Sequence, residues 1–292
     1  MQEQKKILFV INPISGGKKK TAFNKKVLEV LDLKKFKPTF QQTTHPNHAY
    51  ELGKMAIDEG YDAVVAVGGD GTINELGSAL IGSDIPLGII PEGSGNGLAL
   101  YLGIPMNETA AINRLNRFET DQVDCGFVNG KPFFNIAGLG FDATVSDRFA
   151  NDSIRGPIGY LRSVINVLSK YKPCKYELNI DGESYEREAF MISVANSPQY
   201  GNNAYIAPNA SVNDGILDVC IVHKFPLYIF PMMVFHLFNR SADQSDYVEI
   251  IRGKNIVIKR SDKGPIHVDG EPISVQGDLN IEVKSNALKI IC

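Results

Sequence analysis

The sequence is short of one-sided charge, of long apolar runs and of paired cysteines, and each shortage removes a class of function. Lys and Arg number 30 against 33 Asp and Glu, leaving a formal net charge of −3 over 292 residues. Nucleic-acid binding ordinarily needs a basic face, so this balance gives no case for a nucleic-acid partner. No segment approaches the ~20 apolar residues that span a bilayer, so no transmembrane segment is expected. The first apolar run, Ile7 to Ile11, is too brief for a signal-peptide core and reads as a strand. Cys125, Cys174, Cys220 and Cys292 include no C-x-x-C pair. They suit neither a zinc site nor a disulfide framework, and a reducing cytoplasm is the expected setting. His45, His48, His223 and His267 show no metal-ligand spacing. Internal repeats and low-complexity linkers are missing too, and the composition gives no sign of disorder. The length predicts about two domains.

What is present falls into two patterns. Up to about residue 124, continuous apolar runs alternate with helical periodicity: strands at Ile7–Ile11, Thr39–Thr44, Ala63–Val67 and Leu87–Ile90, and helices from Phe23, over Ala49–Glu59 and over Ile73–Leu80. Such runs predict a parallel sheet covered on both faces. Ligands on such a sheet bind at the carboxyl ends of the strands. Beyond residue 124 the runs shorten and turn signals multiply. Asn129-Gly130 and Asp181-Gly182 read as hairpin turns. Leu217–Val222, Tyr247–Ile251, Ile256–Lys259, Leu279–Val283 and Leu288–Ile291 are further strands, interrupted by helices at Gly159–Lys170 and Pro226–Asn239. This half reads as an antiparallel β domain. The predicted domains are 1–124 and 125–292.

The chain is organised around Val64-Val65-Ala66-Val67-Gly68-Gly69-Asp70-Gly71-Thr72-Ile73-Asn74-Glu75. A strand feeds a glycine turn and then a helix N-terminus, which aims backbone N–H groups and the positive end of a helix dipole at an anion. Asp70 would repel a phosphate unless a divalent cation lay between them. The stretch therefore points to a nucleotide phosphate with magnesium, and so to phosphoryl transfer. Asp70 is the candidate for organising the metal or the attacking hydroxyl, and Thr72 and Asn74 offer hydrogen bonds to phosphate or ribose.

Gly68-Gly69-Asp70-Gly71-Thr72-Ile73-Asn74-Glu75 resembles the GGDGTxNE signature of the diacylglycerol kinase catalytic family, which includes sphingosine kinases and bacterial soluble lipid kinases. Asn12-Pro13-Ile14-Ser15-Gly16-Gly17 and Pro91-Glu92-Gly93-Ser94-Gly95-Asn96-Gly97-Leu98-Ala99 match in the same order. The resemblance implies a nucleotide site for ATP and Mg2+ formed by Asn12, Ser15, Gly16, Thr43 or Thr44, Gly68, Gly69, Asp70, Gly71, Thr72, Asn74, Glu75, Gly93, Ser94, Gly95 and Asn96. Many bacterial members carry aspartate where this chain has Gly97. The implied fold is an α/β N-terminal domain with a parallel sheet, of NAD kinase, diacylglycerol kinase and phosphofructokinase type, plus a C-terminal antiparallel β-sandwich. Asn12–Gly17 is no Walker A loop, since no glycine stands five residues before Gly17-Lys18. Gly93-Ser94-Gly95 is no nucleophile elbow, since its spacing is wrong. Lys18-Lys19-Lys20 reads as a solvated face, or as a contact with phosphate or an anionic membrane.

In the second half, Asp269-Gly270-Glu271 and Asp181-Gly182-Glu183 are the same triple, and spacing does not rank them. The resemblance does: the family places a D-G-E near the end of the catalytic region, which makes Glu271 the proton acceptor from a lipid hydroxyl with Asp269 in support. It also implies that Asp124 reaches the catalytic magnesium through water. Asp214, with the carbonyls of Ser211 and Ile216, is implied to hold a structural divalent cation, although Asn213-Asp214-Gly215 reads equally as a turn. Asp142, in Gly138-Leu139-Gly140-Phe141-Asp142-Ala143, is implied to bind the acceptor's head, or else caps a helix. Pro226 to Phe238 is apolar nearly all round, as a core helix or as a segment for acyl chains or a bilayer surface. The expected function is ATP- and magnesium-dependent phosphorylation of a primary hydroxyl of a lipid such as diacylglycerol, a related glycerolipid or a sphingoid base, at a membrane surface. An NAD kinase-like enzyme and a non-catalytic lipid-binding protein are the alternatives.

Overall fold

A computed structural model describes residues 4–17, 22–151, 156–168, 170–260 and 264–292. The lysine run 18–20 lies outside the described residues. The chain forms two units, Met1–Val123 with Asn286–Cys292, and Asp124–Ser285.

The first unit is built on β1 (Lys5–Ile11), α1 (Phe23–Val30), β2 (Phe36–Gln42), α2 (His48–Asp58), β3 (Ala63–Gly68), α3 (Asp70–Leu80), β4 (Leu87–Pro91), α4 (Gly97–Tyr101) and α5 (Glu108–Leu115). Ile7 to Ile11 and all of β3 are buried on both faces, as a covered parallel sheet requires. β1 pairs in parallel with β2 and β3, and β3 with β4, so the spatial order is β2-β1-β3-β4. The order reverses between β1 and β3, which is where such a sheet opens a crevice at its carboxyl edge. α2 packs on α3 through Gly53, where a Cβ would meet that of Ala79 at 2.6 Å.

β2 differs from the sequence expectation of Thr39–Thr44. Buried Phe36 anchors its start, and its register with β1 ends at Ile11↔Gln42. Thr43 and Thr44 therefore lie in the loop beyond the strand, with the Thr43 amide still bonded to the Ile11 carbonyl at 2.9 Å.

The second unit continues from β5 (Thr120–Val128) through β6 (Lys131–Phe133), β7 (Ile136–Gly140), α6 (Phe141–Asn151), α7 (Gly156–Leu168), β8 (Cys174–Ile180), β9 (Glu183–Ala195), β10 (Leu217–His223), α8 (Phe230–Phe238), β11 (Val248–Gly253), β12 (Asn255–Arg260), β13 (Ile266–Val268), β14 (Glu271–Ile273) and β15 (Leu279–Ile291). Its ladders are antiparallel. Leu178, Ile192, Val194, Val219, Ile221, Ile256 and Ile258 fill the core of this β-sandwich. The two apolar runs expected at 279–283 and 288–291 form one strand. Its last residues belong to the first unit, where Ile290 pairs in parallel with Leu87. The sequence reading gave all of 125–292 to the second domain. Leu288, Ile290 and Ile291 are buried there, with Ile291 close to Gly88 of β4.

Three two-residue hairpins have positive φ at both central positions: Asn129-Gly130 (47° and 80°), Asp181-Gly182 (50° and 96°) and Asp269-Gly270 (48° and 86°). That backbone matches the twist of the flanking strands and favours Asn or Asp followed by Gly. The Asp181 carboxylate accepts the N–H groups of Lys254 and Asn255, each at 2.9 Å. The bond from Asn255, then that from Lys254, holds its carboxyl below the usual range. A depressed carboxylate pKa stabilises the fold above the unfolded value of ~3.9 and loses that contribution as pH falls through the folded value. Asp181→Asn is therefore expected to lower the urea midpoint at neutral pH, with the gap to wild type closing as the pH drops below about 4.

Candidate active site

All the glycine stretches of the first unit lie at the carboxyl ends of its strands. Asn12–Gly17 follows β1, Gly68-Gly69 ends β3, and Glu92–Asn96 follows β4. Gly16 has φ 68°, and a Cβ on it would meet the Glu92 carbonyl oxygen at 2.6 Å. A Cβ on Gly69 would meet the Gly93 Cα at 2.9 Å. Only glycine lets these backbones approach so closely.

Polar side chains lock the contact. Asp70, the first residue of α3, accepts the Asn96 N–H on Oδ2 and the Gly97 N–H on Oδ1, both at 2.8 Å. Asn96, in the left-handed region at φ 52°, closes its own loop by accepting from the Gly93 amide and donating to the Gly93 carbonyl, both at 2.9 Å. Asn12 Nδ2 donates to Thr72 Oγ1 at 3.2 Å, and Ser15 Oγ donates to the Asn12 carbonyl at 3.1 Å. The loops after β1, β3 and β4 are thus tied together beside the N-terminus of α3, the end of a helix that favours an anion.

Not every predicted nucleotide residue takes part in the loop contact. Glu75 accepts the N–H groups of Asn47 and Ala49 at 2.9 and 3.0 Å, and so caps the start of α2. Asn74 faces Ser78 Oγ at 3.4 Å. Thr44 donates its amide to His48 Nδ1 at 3.0 Å. Contrary to the sequence reading of the histidines, ligand atoms of His45, His48 and Glu51 lie within 4.8 Å of one another. The cluster is largely exposed, and His48 Nδ1 already accepts the Thr44 amide.

In the second unit the predicted residues fall into three groups. Asp124 is buried and accepts the Gly215 N–H at 2.6 Å, which joins it to the loop of Ser211, Asp214 and Ile216. Asp214 itself accepts the Ile216 amide and pairs with the Arg252 guanidinium. Asp269 accepts three backbone N–H groups, from Phe134, Asn135 and Ile136, at 3.0, 2.8 and 3.1 Å. This fixes the turn that presents Glu271, which is exposed. Asp269→Asn is expected to lower the unfolding free energy by about 1–3 kcal/mol in urea titration, because one carboxylate oxygen facing N–H donors becomes an NH2 group.

Asp142 does not cap α6 from outside; it lies inside the first turn and points inward. Oδ1 accepts the Ala143 amide at 2.8 Å, and Oδ2 lies 3.1 Å from Tyr200 Oη, 3.1 Å from His267 Nε2 and 3.3 Å from Ser193 Oγ. Burial, and then the Asp142 charge, push the Tyr200 phenol well above its usual value, so it stays a donor. His267 Nδ1 accepts the Gly270 amide at 3.3 Å, which leaves Nε2–H to donate to Asp142. Both oxygens of the expected head-group ligand are thus engaged by the protein. Ser193, Tyr200 and His267 went unmarked in sequence because nothing local ties them to Asp142; strand alternation alone sets His267 apart from Ile266 and Val268. Burial pushes the thiols of Cys125 and Cys220 far above their ordinary value, so neither offers a thiolate.

Comparisons with known proteins agree with this architecture. Residues 6–128 match the diacylglycerol kinase catalytic domain, and residues 135–292 match the YegS C-terminal NAD kinase beta sandwich-like domain. A diacylglycerol kinase of Bacillus subtilis is 28% identical over 276 residues, covering 91% of this chain and 90% of its own length. A diacylglycerol kinase of Mycobacterium tuberculosis is 34% identical over 225 residues, covering 72% of this chain and 71% of its own. An uncharacterized Synechocystis protein is 32% identical over 242 residues, 80% of this chain, and the chain spans 55% of that relative's length. Two crystal structures from Bacillus anthracis, one of them solved as a diacylglycerol kinase, superpose with TM-scores of 0.83 and 0.75. They are 24% and 20% identical and cover 100% of this chain and 96% and 98% of theirs, a likeness of fold. With its glycine loops, parallel sheet and β-sandwich matched along nearly the whole length, the chain belongs to the diacylglycerol kinase catalytic-domain family, a family of lipid kinases.

Proposed function

We propose that this protein transfers the γ-phosphoryl group of ATP, with Mg2+, to the primary hydroxyl of a glycerolipid such as diacylglycerol, working in the cytoplasm at a membrane surface. The observation that carries the reading is the joining of the β3 and β4 loops by Asp70, beside the Asn12–Gly17 turn. Backbone amides of these loops, with the Asn12, Ser15, Thr43, Thr44, Thr72 and Ser94 side chains around them, suit the β- and γ-phosphates. Glu75 is assigned to the scaffold, since both its oxygens cap α2.

In this reading the first unit binds nucleotide and the second receives the lipid. Glu271 takes the proton from the lipid hydroxyl as the oxygen attacks the γ-phosphorus, the bond to the β-phosphate oxygen breaks, and ADP leaves. Asp269 positions the hairpin that carries Glu271. Magnesium neutralises phosphate charge when bound. Asp70 and Asp124 fit it by type, as hard carboxylate oxygens. The Ser211, Asp214 and Ile216 set fits a cation less well, because Arg252 already supplies positive charge to Asp214.

The test is magnesium-dependent ADP release over a panel of diacylglycerol, phosphatidylglycerol, a sphingoid base and NAD, with a control lacking acceptor. Turnover with a glycerolipid and not with NAD is the expected result. Turnover with NAD alone would favour the second reading, a soluble-substrate kinase, which the NAD kinase-like description of the matched β-sandwich keeps in the panel.

A further inference from the structure

Ten large apolar side chains are strongly exposed among the described residues, and five of them sit between residues 227 and 238. They are Leu227 (60%), Tyr228 (79%), Met232 (54%), Phe235 (58%) and Phe238 (57%). Met232 and Phe235 stand one turn apart on the same side of α8, and Leu227 and Tyr228 are exposed on the 3-10 turn Leu227–Ile229 just before it. The opposite face is occupied: Met233 is buried, and Ile229, Phe230 and Leu237 pack on the cluster of Phe141, Phe190 and Val222. The helix is therefore apolar on both sides, and only one side is covered by its own unit.

Charge around the segment selects the occupant. From Lys224 to Ala242 there is no Asp or Glu, and basic residues stand at both ends: exposed Lys224 before the turn and, after the helix, exposed Arg240, whose guanidinium also lies over the Tyr205 ring and donates to its hydroxyl at 2.6 Å. The next carboxylate, Asp243, faces Asn209 at 3.1 Å. With ~200 Å² for each full side chain, the exposed fractions leave roughly 600 Å² of apolar surface. That is less than the ~800 Å² per partner of a stable protein interface. An apolar stripe with aromatic residues and basic ends is what an interfacial helix offers to an anionic bilayer.

We infer that the segment Lys224–Arg240 is a bilayer anchor, with Tyr228, Met232, Phe235 and Phe238 inserted at the acyl boundary and Lys224 and Arg240 on anionic headgroups. The inference rests on the lipid-kinase reading for its purpose, and it gives that enzyme its means of reaching an acceptor held in a membrane.

The experiment uses the full chain and sucrose-loaded phosphatidylcholine vesicles, with or without about one-third phosphatidylglycerol. Wild type is expected to co-sediment with the anionic vesicles in preference to the neutral ones. The double variant Met232→Ser, Phe235→Ser is expected to lose at least about tenfold in partitioning, since both side chains leave an apolar environment. Lys224→Glu, which removes no apolar contact, should weaken only the anionic preference. Both variants change exposed positions, and matching thermal midpoints confirm their folding. Turnover of a monomerically dispersed short-chain diacylglycerol should be unchanged in the double variant while turnover of vesicle-embedded acceptor falls with partitioning. Vesicle turnover and binding unaffected by the double variant would overturn the anchor and leave the kinase reading standing. Partitioning that depends on Met232 and Phe235 without turnover of any lipid would support the anchor and sink the acceptor assignment. A dimer that the double variant dissociates, with no vesicle binding by wild type, would make the face a contact between copies and overturn the anchor.

Discussion

Replacing Asp70 with asparagine is expected to lower phosphoryl transfer by about 10³-fold, through lost loop placement and lost charge together. Asp70 holds the Asn96 and Gly97 amides with one oxygen each, both at 2.8 Å. An asparagine offers one oxygen and one NH2 group, so whichever way it turns, a donor faces a donor. The loop that carries Ser94 then loses one of its two ties to α3, and the Gly69–Gly93 contact loosens with it. Misplacement by ~1 Å already costs about a hundredfold in a site of this kind. The same change removes the negative charge that would hold a divalent cation against the phosphates. An unsatisfied amide costs about 1–3 kcal/mol, so the thermal midpoint should fall by several degrees without loss of the fold. ADP release and thermal unfolding on one preparation check both parts. Turnover within tenfold of wild type would remove Asp70, and with it the proposed phosphate-binding role of these loops, from the mechanism.

The contrast between what the sequence disclosed and what it hid follows the range of the interactions. The glycine loops after β1, β3 and β4 were readable because the alternation of apolar runs and turns is local, and a parallel sheet leaves them nowhere but its carboxyl edge. The Asn129-Gly130 and Asp181-Gly182 hairpins were readable because positive φ at two successive residues demands that chemistry. Asp70 could be marked as unusual beside a phosphate, yet its partners lie 26 and 27 residues away in the stretch Pro91–Ala99, and no local pattern says that the two stretches meet. Glu75 sits inside the signature and reads as a nucleotide ligand, but its partners are backbone amides at the start of α2, 28 and 26 residues before it. Asp142 could be read from the sequence as a ligand for the acceptor's head or as a helix cap, and nothing local chose between them. Three donors from β9, the loop after it and β13 turn it inward, and only tertiary structure assembles them. The helix Pro226–Asn239 was readable as apolar all round, but which of its faces would be covered depends on the packing of Phe230 and Met233.

The second large effect concerns Glu271, and the chain carries its own control. Asp269-Gly270-Glu271 and Asp181-Gly182-Glu183 share the same turn, with φ of 48° and 86° against 50° and 96°. In each, the aspartate is consumed by backbone amides, from Phe134, Asn135 and Ile136 for Asp269 and from Lys254 and Asn255 for Asp181. The two glutamates follow turns of the same geometry, so a structural role would make Glu271→Gln and Glu183→Gln behave alike. Their surroundings differ. Glu183 accepts the Tyr185 hydroxyl at 2.6 Å, whereas the Glu271 hairpin pairs with β7 and is tied through His267 to Asp142. A general base contributes about 10²–10⁴-fold, so Glu271→Gln is expected to lower turnover within that range while leaving the thermal midpoint nearly unchanged, because the side chain is exposed. Glu183→Gln is expected to change neither. A glutamine cannot take the hydroxyl proton, but it fills the same volume, so the loss should appear in kcat and leave KM for ATP in place. Equal activity of the two variants would mean that the triple is only a turn in both places, and the proton acceptor would have to be sought elsewhere in the second unit.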